Sequence, residues 1–544
     1  MTSLKTLLLG LNDLTGPIPD VLANFTSLEC LDLEDNHLEG PIPLSFGAFC
    51  KLKELSLSRN NISGEITEFV NGISLCRPNS LLETLELEQT KLTGPLFPSW
   101  LRNLNQLGII MLENVGISDK IPNWFPKMYP SLQFLDLSNN QISGKVPLEL
   151  RNGLKSTEIV LLNLRGNLFT GTIPSNMNNE TMPNLQFLTL SKNLIEGSIP
   201  SSICNLKQLR TVSLSSNNLS GELPQECWKD LESLEVIDLS NNHLSGKMGK
   251  RLPHLEILRL RSNSFSGFIH EHRCLLHSLR ILDLAHNGLS GTIPHCFGNF
   301  SGMATVDPTN PISISPMAIH GQEFVDQVNM QITKGIELEY NGTLAFLKCI
   351  DLSHNAFSGE IPTEITGLLG LSILNLSINQ LTGRIPEKIG SMQRLEVLDL
   401  SRNQLSGSIP PSISALNSLN HLNLSSNNLS GRIPSGYQLQ TLPDPSIYAG
   451  NPGLCGAPLK DCATHPDIHG LNHEEDKEDW LPFFISMSIG FVVGFWSVCG
   501  SLLLNKSWRY AFFRFIDNMT IIPVCVVVKA RSFRLGRNRN AQHA

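Results

Sequence analysis

The fold class predicted by this 544-residue sequence is a repeat solenoid, an α/β-type superhelix of short stacked turns, with one transmembrane helix near its C-terminus. Two observations predict it. A unit of the form L-x-x-L-x-L-x-x-N-x-L-x-G-x-I-P, complete at residues 279–294, recurs along most of the chain, and residues 481–504 run for 24 positions without a charge.

The Asn column of the unit reads Asn12, Asn36, Asn60, then Thr90 and Val115 as replacements, then Asn140, Asn167, Asn193, Asn217, Asn242, Asn263 and Asn287. It resumes at Asn355, Asn379, Asn403 and Asn427, giving sixteen units mostly 24 to 27 residues apart. A period in this range with this leucine spacing is the leucine-rich-repeat signature, one short strand per turn. The leucines of L-x-x-L-x-L point inward, and stacking buries what one turn cannot. The Asn sits in a sharp turn, where its side chain reaches backbone groups of neighbouring turns. Replacing it at Thr90 and Val115 predicts that the fourth and fifth units are the irregular stretch. The G-x-I-P half supplies a turn residue and a Pro that cannot donate to a ladder.

Residues 1–299 hold about twelve repeats, and the pattern lapses over residues 300–346, an island in which the Asn column jumps from Asn287 to Asn355. Its Asp307-Pro308-Thr309-Asn310-Pro311 run marks a loop, and Gln322 to Tyr340 is strand-prone. Insertions in solenoids form surface loops, often at a binding face. Four further repeats fill 347–434. A cap at 435–470, to be held shut by Cys455 and Cys462, closes the last leucine layer.

An acidic juxtamembrane run (471–480) precedes the uncharged stretch, which as a helix is long enough to cross a hydrocarbon core of about 30 Å. The tail, residues 505–544, holds eight Lys or Arg and one Asp, so the basic side is expected in the cytoplasm and the repeats outside. The whole chain carries a net charge of −8, which makes nucleic acid an improbable partner. Nine N-x-S/T sequons precede the uncharged stretch and suit a secreted surface: Asn24, Asn61, Asn179, Asn218, Asn299, Asn341, Asn375, Asn423 and Asn428. Cys204 with Cys227 and Cys274 with Cys296 are spaced close to one repeat and are candidate bridges between adjacent turns. Cys50 with Cys76 is a looser candidate, and Cys30 and Cys349 are expected to be buried thiols. The chain starts inside a repeat, at Met1-Thr2-Ser3-Leu4, with neither signal peptide nor amino-terminal cap, which reads as a truncated product; a cytosolic, tail-anchored solenoid is the rival.

No constellation of acid, base and nucleophile appears, so the chain is expected to be no enzyme and to need no cofactor or metal. The carboxylates Asp32, Asp136, Asp238, Asp283, Asp351 and Asp399 recur at one strand position of the concave face and are expected to form a solvated structural column. Arg259, Arg261 and His286, just before the island, are candidate ligand or co-receptor contacts.

A long repeat block, an island, four repeats, a cysteine-paired cap, an acidic run, one membrane helix and a short basic tail resemble the layout of plant leucine-rich-repeat receptor-like proteins, which lack a kinase. Residues Phe484 to Tyr510 are similar to receptors for fungal ethylene-inducing xylanase. The resemblance implies that Lys334, Gly335, Glu337 and Tyr340 form an island contact element. It implies that Gly490 and Gly494, a G-x-x-x-G pair, pack the membrane helix against an adaptor leucine-rich-repeat receptor kinase. It further implies a co-receptor kinase recruited through the island and last repeats, a plasma-membrane location and an extracellular protein or peptide ligand. A microbial elicitor in defence is the first expectation. A developmental peptide receptor, or a non-signalling decoy or cell-wall enzyme inhibitor, are the alternatives.

Overall fold

The computed structural model describes residues 3–74, 76, 81–93, 104, 106–125, 130–147, 158–224, 228, 231–247, 255–270, 276–305, 347–462 and four short strands within 317–339. The expected membrane helix, its Gly490 and Gly494, the acidic run and the tail lie outside them. Among the described residues no helix is long and apolar enough to cross a membrane.

Each repeat contributes one short strand to a single sixteen-stranded parallel sheet, from Thr6–Leu8 through Ile281–Asp283 and Cys349–Asp351 to His421–Asn423. Side chains alternate across each strand. The central residue of each, a leucine in most turns such as Leu31, Leu282 and Leu398 and an Ile or Val in the others, packs in one continuous core. Full burial of such a side chain stabilises by about 1.5–3 kcal/mol. That gain is available only because the next turn covers it.

The Asn column works as a ladder. Asn60 donates through Nδ2 to the carbonyls of Leu33 (2.9 Å), Leu57 (3.2 Å) and Ser58 (3.1 Å), and its Oδ1 accepts from the Leu38 N–H (3.0 Å). One amide thereby satisfies groups on its own turn and on the turn before. The residue preceding each Asn is held at positive φ, as at Arg59 (54°), His286 (53°) and His354 (53°). Such geometry costs a non-glycine residue energy, and the Asn bonds hold it in place.

At Thr90 and Val115 the expected irregularity takes a different form. The strands Thr84–Glu86 and Ile109–Met111 keep their places in the long sheet, and Gln89 and Asn114 keep the positive φ. Thr90 replaces one Asn bond by donating from Oγ1 to the Leu87 carbonyl (2.8 Å). Val115 is buried, and the N–H groups of Val115, Gly116 and Ile117 all reach Asn140 Oδ1 at 3.0–3.1 Å. What gives way is a second ladder. The residues leading into G-x-I-P pair in parallel as a four-stranded piece ending at Lys91–Thr93 and a nine-stranded piece starting at Ser143–Lys145. Only an isolated bridge, Lys120 to Ser143, is described between them. A Pro follows most of these strands within four residues, though not Asn61–Glu65, His243–Gly246 or Ser264–Phe268, so the pattern that marks a ladder stop also conceals the ladder before it.

The disulfide Cys50–Cys76, with Cα atoms 5.2 Å apart, ties the turn after Leu44–Ala48 to the end of the helix Thr67–Ser74. There Gly47 and Gly72 let two backbones pass: a Cβ on Gly47 would lie 2.6 Å from the Gly72 Cα. A second disulfide joins Cys455 to Cys462. Cys204 and Cys296 are also disulfide-bonded, while Cys227 and Cys274 lie outside the described residues.

The cap holds a further rung. Asn451 donates to the carbonyls of Leu424 (2.9 Å) and Tyr448 (3.0 Å) and accepts from the Leu429 N–H (3.0 Å), as the repeat asparagines do. Leu424 and Ser426 donate to the carbonyls of Ile447 and Ala449, so the solenoid runs half a turn past the last recognisable repeat.

Candidate functional site

The island interrupts the sequence without interrupting the sheet. Ile281–Asp283 pairs directly with Cys349–Asp351. Asn355 donates to the Leu284 carbonyl, 71 residues upstream, at 2.9 Å and accepts from Leu289 N–H at 3.0 Å. Lys348 Nζ donates to the Thr305 carbonyl (2.6 Å) and hydroxyl (3.0 Å), pinning the two ends of the insertion together. Within the island, Met317–Ile319 pairs antiparallel with Gln322–Phe324, and Gln331–Thr333 with Glu337–Glu339. The strand-prone reading of Gln322 to Tyr340 matches three of these strands. Lys334, Gly335 and Tyr340 lie outside the described residues, as does Asn341; Glu337 opens the last strand.

Beside the junction, on the sheet face turned away from the leucine core, lies an ionic ladder. Arg259 Nη1 meets Asp238 Oδ2 at 3.1 Å and its Nε lies 3.9 Å from Asp283 Oδ2. Arg261 Nη1 meets Asp351 Oδ2 at 3.0 Å and Asp283 Oδ1 at 3.6 Å. Arg261 thus reaches over the intervening turn and joins the block before the island to the block after it. Arg210 with Glu235, and Arg280 with Glu256, pair three residues earlier in their turns. Burial, with the Asp351 charge beside it, pushes the Asp283 carboxyl up against the opposing pull of both arginines.

This arrangement corrects one expectation in part. The aspartates are a solvated column only at its ends: Asp136, Asp238, Asp283 and Asp351 are buried, while Asp32 and Asp399 are half-buried. Each accepts an N–H two residues on, Asp136 from Ser138 at 2.7 Å and Asp351 from Ser353 at 3.0 Å. The reason is that side chains from adjacent strands, a sheet spacing apart, cover one another. Arg259 is likewise buried between carboxylates, where it holds the ladder together. Arg261 is only slightly more open.

His286 and His354 stack with ring centroids 3.8 Å apart and planes 19° off parallel, on the two turns that flank the island. Burial holds both imidazoles below their usual range, and each neighbour, with Arg261 nearby, adds to the effect on His286. His286 therefore stands at the junction, as the sequence placed it, with a partner the sequence did not announce because the two are 68 residues apart.

Towards the start of the sheet the same face carries carboxyls that burial makes hard to ionise: Glu34 and Asp136 are pushed up to about 7 and Glu88 to about 8. A second unanticipated feature is an apolar stripe. Val236, Ile257, Ile281, Cys349, Ile373 and Val397, one per turn, form a buried cluster separate from the leucine core. The signal was present in the third position of L-x-x, which is apolar on these six successive turns. No described group of three or more His, Cys, Asp or Glu is placed to hold a metal.

The sequons divide by environment. Asn24, Asn61, Asn179, Asn218, Asn299 and Asn428 are exposed. Asn375 and Asn423 are half-buried in the sheet, and each Oδ1 accepts from the backbone and hydroxyl of the Ser two residues on.

Residues 209–265 and 370–429, and six further segments from 27–49 to 346–368, match the family described as leucine-rich repeat. Receptor-like protein EIX2 of Solanum lycopersicum is 41% identical over 491 residues, covering 78% of this chain and 47% of that protein. Receptor-like protein EIX1 of the same species is 37% identical, covering 81% of this chain and 48% of that protein. The chain thus spans about half the length of these relatives. Among solved structures, the ectodomain of the Arabidopsis thaliana membrane receptor kinase GASSHO1/SCHENGEN3, in complex with CASPARIAN STRIP INTEGRITY FACTOR 2, superposes with a TM-score of 0.66 at 29% identity, over 85% of this chain and 51% of that one. The Arabidopsis receptor kinase HAESA, in complex with the peptide hormone IDA and the co-receptor SERK1, gives 0.61 at 29% identity, over 83% and 74%.

Proposed function

With the chain identified as a leucine-rich-repeat protein of the plant receptor-like kind, we propose that it binds an extracellular protein or peptide on the open face of its long sheet and signals through partner receptor kinases. The observation that carries this is the junction. Sixteen strands form one continuous parallel sheet, and the strands on either side of the insertion (300–346) pair directly, so the chain leaves the sheet and returns to it at neighbouring strands. A surface of this kind offers many weak, spaced contacts and no reactive centre, which suits recognition.

In this reading residues 481–504 cross the plasma membrane, with the repeats outside and the basic tail inside. Gly490 and Gly494 let the helix approach that of an adaptor kinase, and Lys334, Gly335, Glu337 and Tyr340 of the island, with the last four repeats, recruit a co-receptor kinase. The similarity to EIX2 and EIX1 favours a microbial elicitor and a role in defence. The likeness to HAESA, solved with a peptide hormone, favours a second reading, a developmental peptide receptor.

The test is expression of the full chain in leaf cells, with exposure to a fungal xylanase and, separately, to secreted plant peptides. An early oxidative burst to the xylanase that is lost when the island is replaced by a short linker supports the defence reading; a response to plant peptides alone supports the second; no response to either, with the chain at the surface, overturns both. Gly490→Leu with Gly494→Leu is expected to abolish co-precipitation of the adaptor kinase. Retained co-precipitation removes the helix-packing proposal.

A further inference from the structure

We propose that the second to sixth turns of the solenoid, on the open face of the long sheet, bind an extended cationic segment of the ligand, about six residues long and carrying several Arg or Lys side chains. The inference rests on the receptor reading for the existence of a ligand, and adds where part of that ligand lies and what chemistry it carries.

The five strands concerned are Cys30–Asp32, Glu54–Ser56, Thr84–Glu86, Ile109–Met111 and Phe134–Asp136. With the three residues after each, they hold Asp32, Glu34, Glu86, Glu88, Glu113 and Asp136 among their carboxyl groups, and one Arg or Lys, Arg59. Asp32, Glu86 and Asp136 follow the core leucines Leu31, Leu85 and Leu135, so they belong to the face turned away from the core. Glu34, Glu88 and Glu113 stand two residues further on, where Arg261 in its own turn reaches Asp283 and Asp351. The two acidic stretches of the sheet therefore differ. In the tenth to thirteenth turns the chain supplies its own cations, Arg259 and Arg261 among Asp238, Asp283 and Asp351. In the second to sixth turns a single guanidinium, Arg59, meets Glu34 at 3.5 Å.

Two groups in this floor lack what a cation would bring. Ser56 lies in register between Asp32 and Glu86, on the same face as both. It is 8% exposed, and its Oγ has no hydrogen-bond partner. Buried polar groups are nearly always paired. Glu88 is 7% exposed, and among the described residues its carboxyl receives neither a hydrogen bond nor an ion pair. Burial first, and then the charges of Asp136, Glu113 and Glu86, hold that carboxyl at about 8, with Arg59 opposing from beyond ion-pair distance. Acidic residues are almost never buried so deeply unless paired.

Guanidinium and ammonium groups supply positive charge and several N–H donors together. Among the described residues no three carboxyls are placed to share one metal ion, so the matching cations come separately, spaced along a chain. Adjacent turns lie about 4.8 Å apart, and five turns span about 19 Å, the length of about six extended residues.

The probe is a fluorescein-labelled hexapeptide alternating Arg with Ser, added at low salt to the purified full chain in detergent micelles. Anisotropy reads its binding, and carbodiimide labelling of carboxyls with peptide mass spectrometry reads its place. The expected result is loss of labelling at Asp32, Glu86 and Glu113, with the exposed Glu360, Glu387 and Glu396 labelled as before. Glu86→Gln, Glu88→Gln and Glu113→Gln together should weaken binding about tenfold. The control, Glu360→Gln with Glu387→Gln and Glu396→Gln, removes the same charge and should change binding by under about twofold. Equal losses in the two variants show general attraction to a chain of net charge −8 and overturn the proposal. Labelling that falls everywhere or nowhere overturns it too, and so does spermine that binds as tightly as the peptide, which assigns the floor to a free polyamine. If the first variant fails to fold, the labelling of the unsubstituted chain decides. Because every reading is made on the purified chain, an unprotected floor counts against this proposal alone, and a silent response in leaf cells counts against the receptor reading alone.

Discussion

Replacing Asn355 by Ala should open the solenoid at the island junction. Its amide donates to the carbonyls of Leu284 (2.9 Å), Leu352 (3.1 Å) and Ser353 (3.1 Å), and accepts from the Leu289 N–H (3.0 Å). Alanine leaves four backbone groups without that partner. Each buried group left unsatisfied costs about 1–3 kcal/mol, and carbonyls that keep another donor cost least. A total of about 3–5 kcal/mol follows, concentrated at the junction where the two blocks of repeats rejoin. Because repeat arrays can open locally, the fitting assay is native-state hydrogen exchange at the Leu289 N–H, where about 1.4 kcal/mol is a tenfold change in protection. The control is Asn12→Ala, whose exposed amide makes only two bonds, both within its own turn, to Leu9 (3.1 Å) and Gly10 (2.8 Å). Protection at Leu289 should fall at least a hundredfold in Asn355→Ala and stay unchanged in Asn12→Ala. Similar, small effects of both substitutions would refute the ladder as the source of stability at the junction.

Arg261→Ala should destabilise by about 3–5 kcal/mol, because it leaves Asp283 and Asp351 buried beside each other without their shared cation; urea midpoints of the single variant and of Arg261→Ala with Asp283→Asn and Asp351→Asn measure it, and the triple variant should recover most of the loss. The pH dependence has a definite sign. Glu88 is raised in the folded chain from 4.5 to about 8, so the folded state binds its proton more tightly, and the stability it contributes below pH 4.5 is lost as pH rises through about 8. Glu88→Gln should therefore flatten the decline of stability across that window, and parallel curves for the two proteins would contradict the assignment. Asn451→Ala should loosen the cap as a repeat Asn would, exposing the Leu429 N–H to exchange; a cap indifferent to this change would show that Asn451 is no true rung.

Much of this architecture is legible in the leucine and asparagine columns because each is a local cause repeated. Leu282 is buried wherever a next turn exists, and Asn287 bonds its own turn and the one before in a fixed geometry. Thr90 and Val115 show the limit. Two asparagines are missing, but neighbours take over the bonds, since Asn140 accepts three N–H groups from the turn before it. The candidate site was harder to read. In the sequence Arg259 and Arg261 stand out only as cations just before the island, and whether they face a ligand or a carboxylate depends on Asp283 and on Asp351, 90 residues from Arg261. The pairing of His286 with His354 was hidden for the same reason: the partner lies across the insertion. The stripe was hidden differently. An apolar third position looks, in any single unit, like ordinary variation on a strand, and only its recurrence from Val236 to Val397 gives it meaning.

The central claim, an extracellular recognition surface, is tested most directly by peptide mass spectrometry of the chain isolated from plant cells under non-reducing conditions. The account predicts glycans on the exposed Asn24, Asn61, Asn179, Asn218, Asn299 and Asn428, bare Asn375 and Asn423, and intact Cys50–Cys76 and Cys455–Cys462 bridges. Unmodified sequons throughout, with those four cysteines reduced, would contradict it.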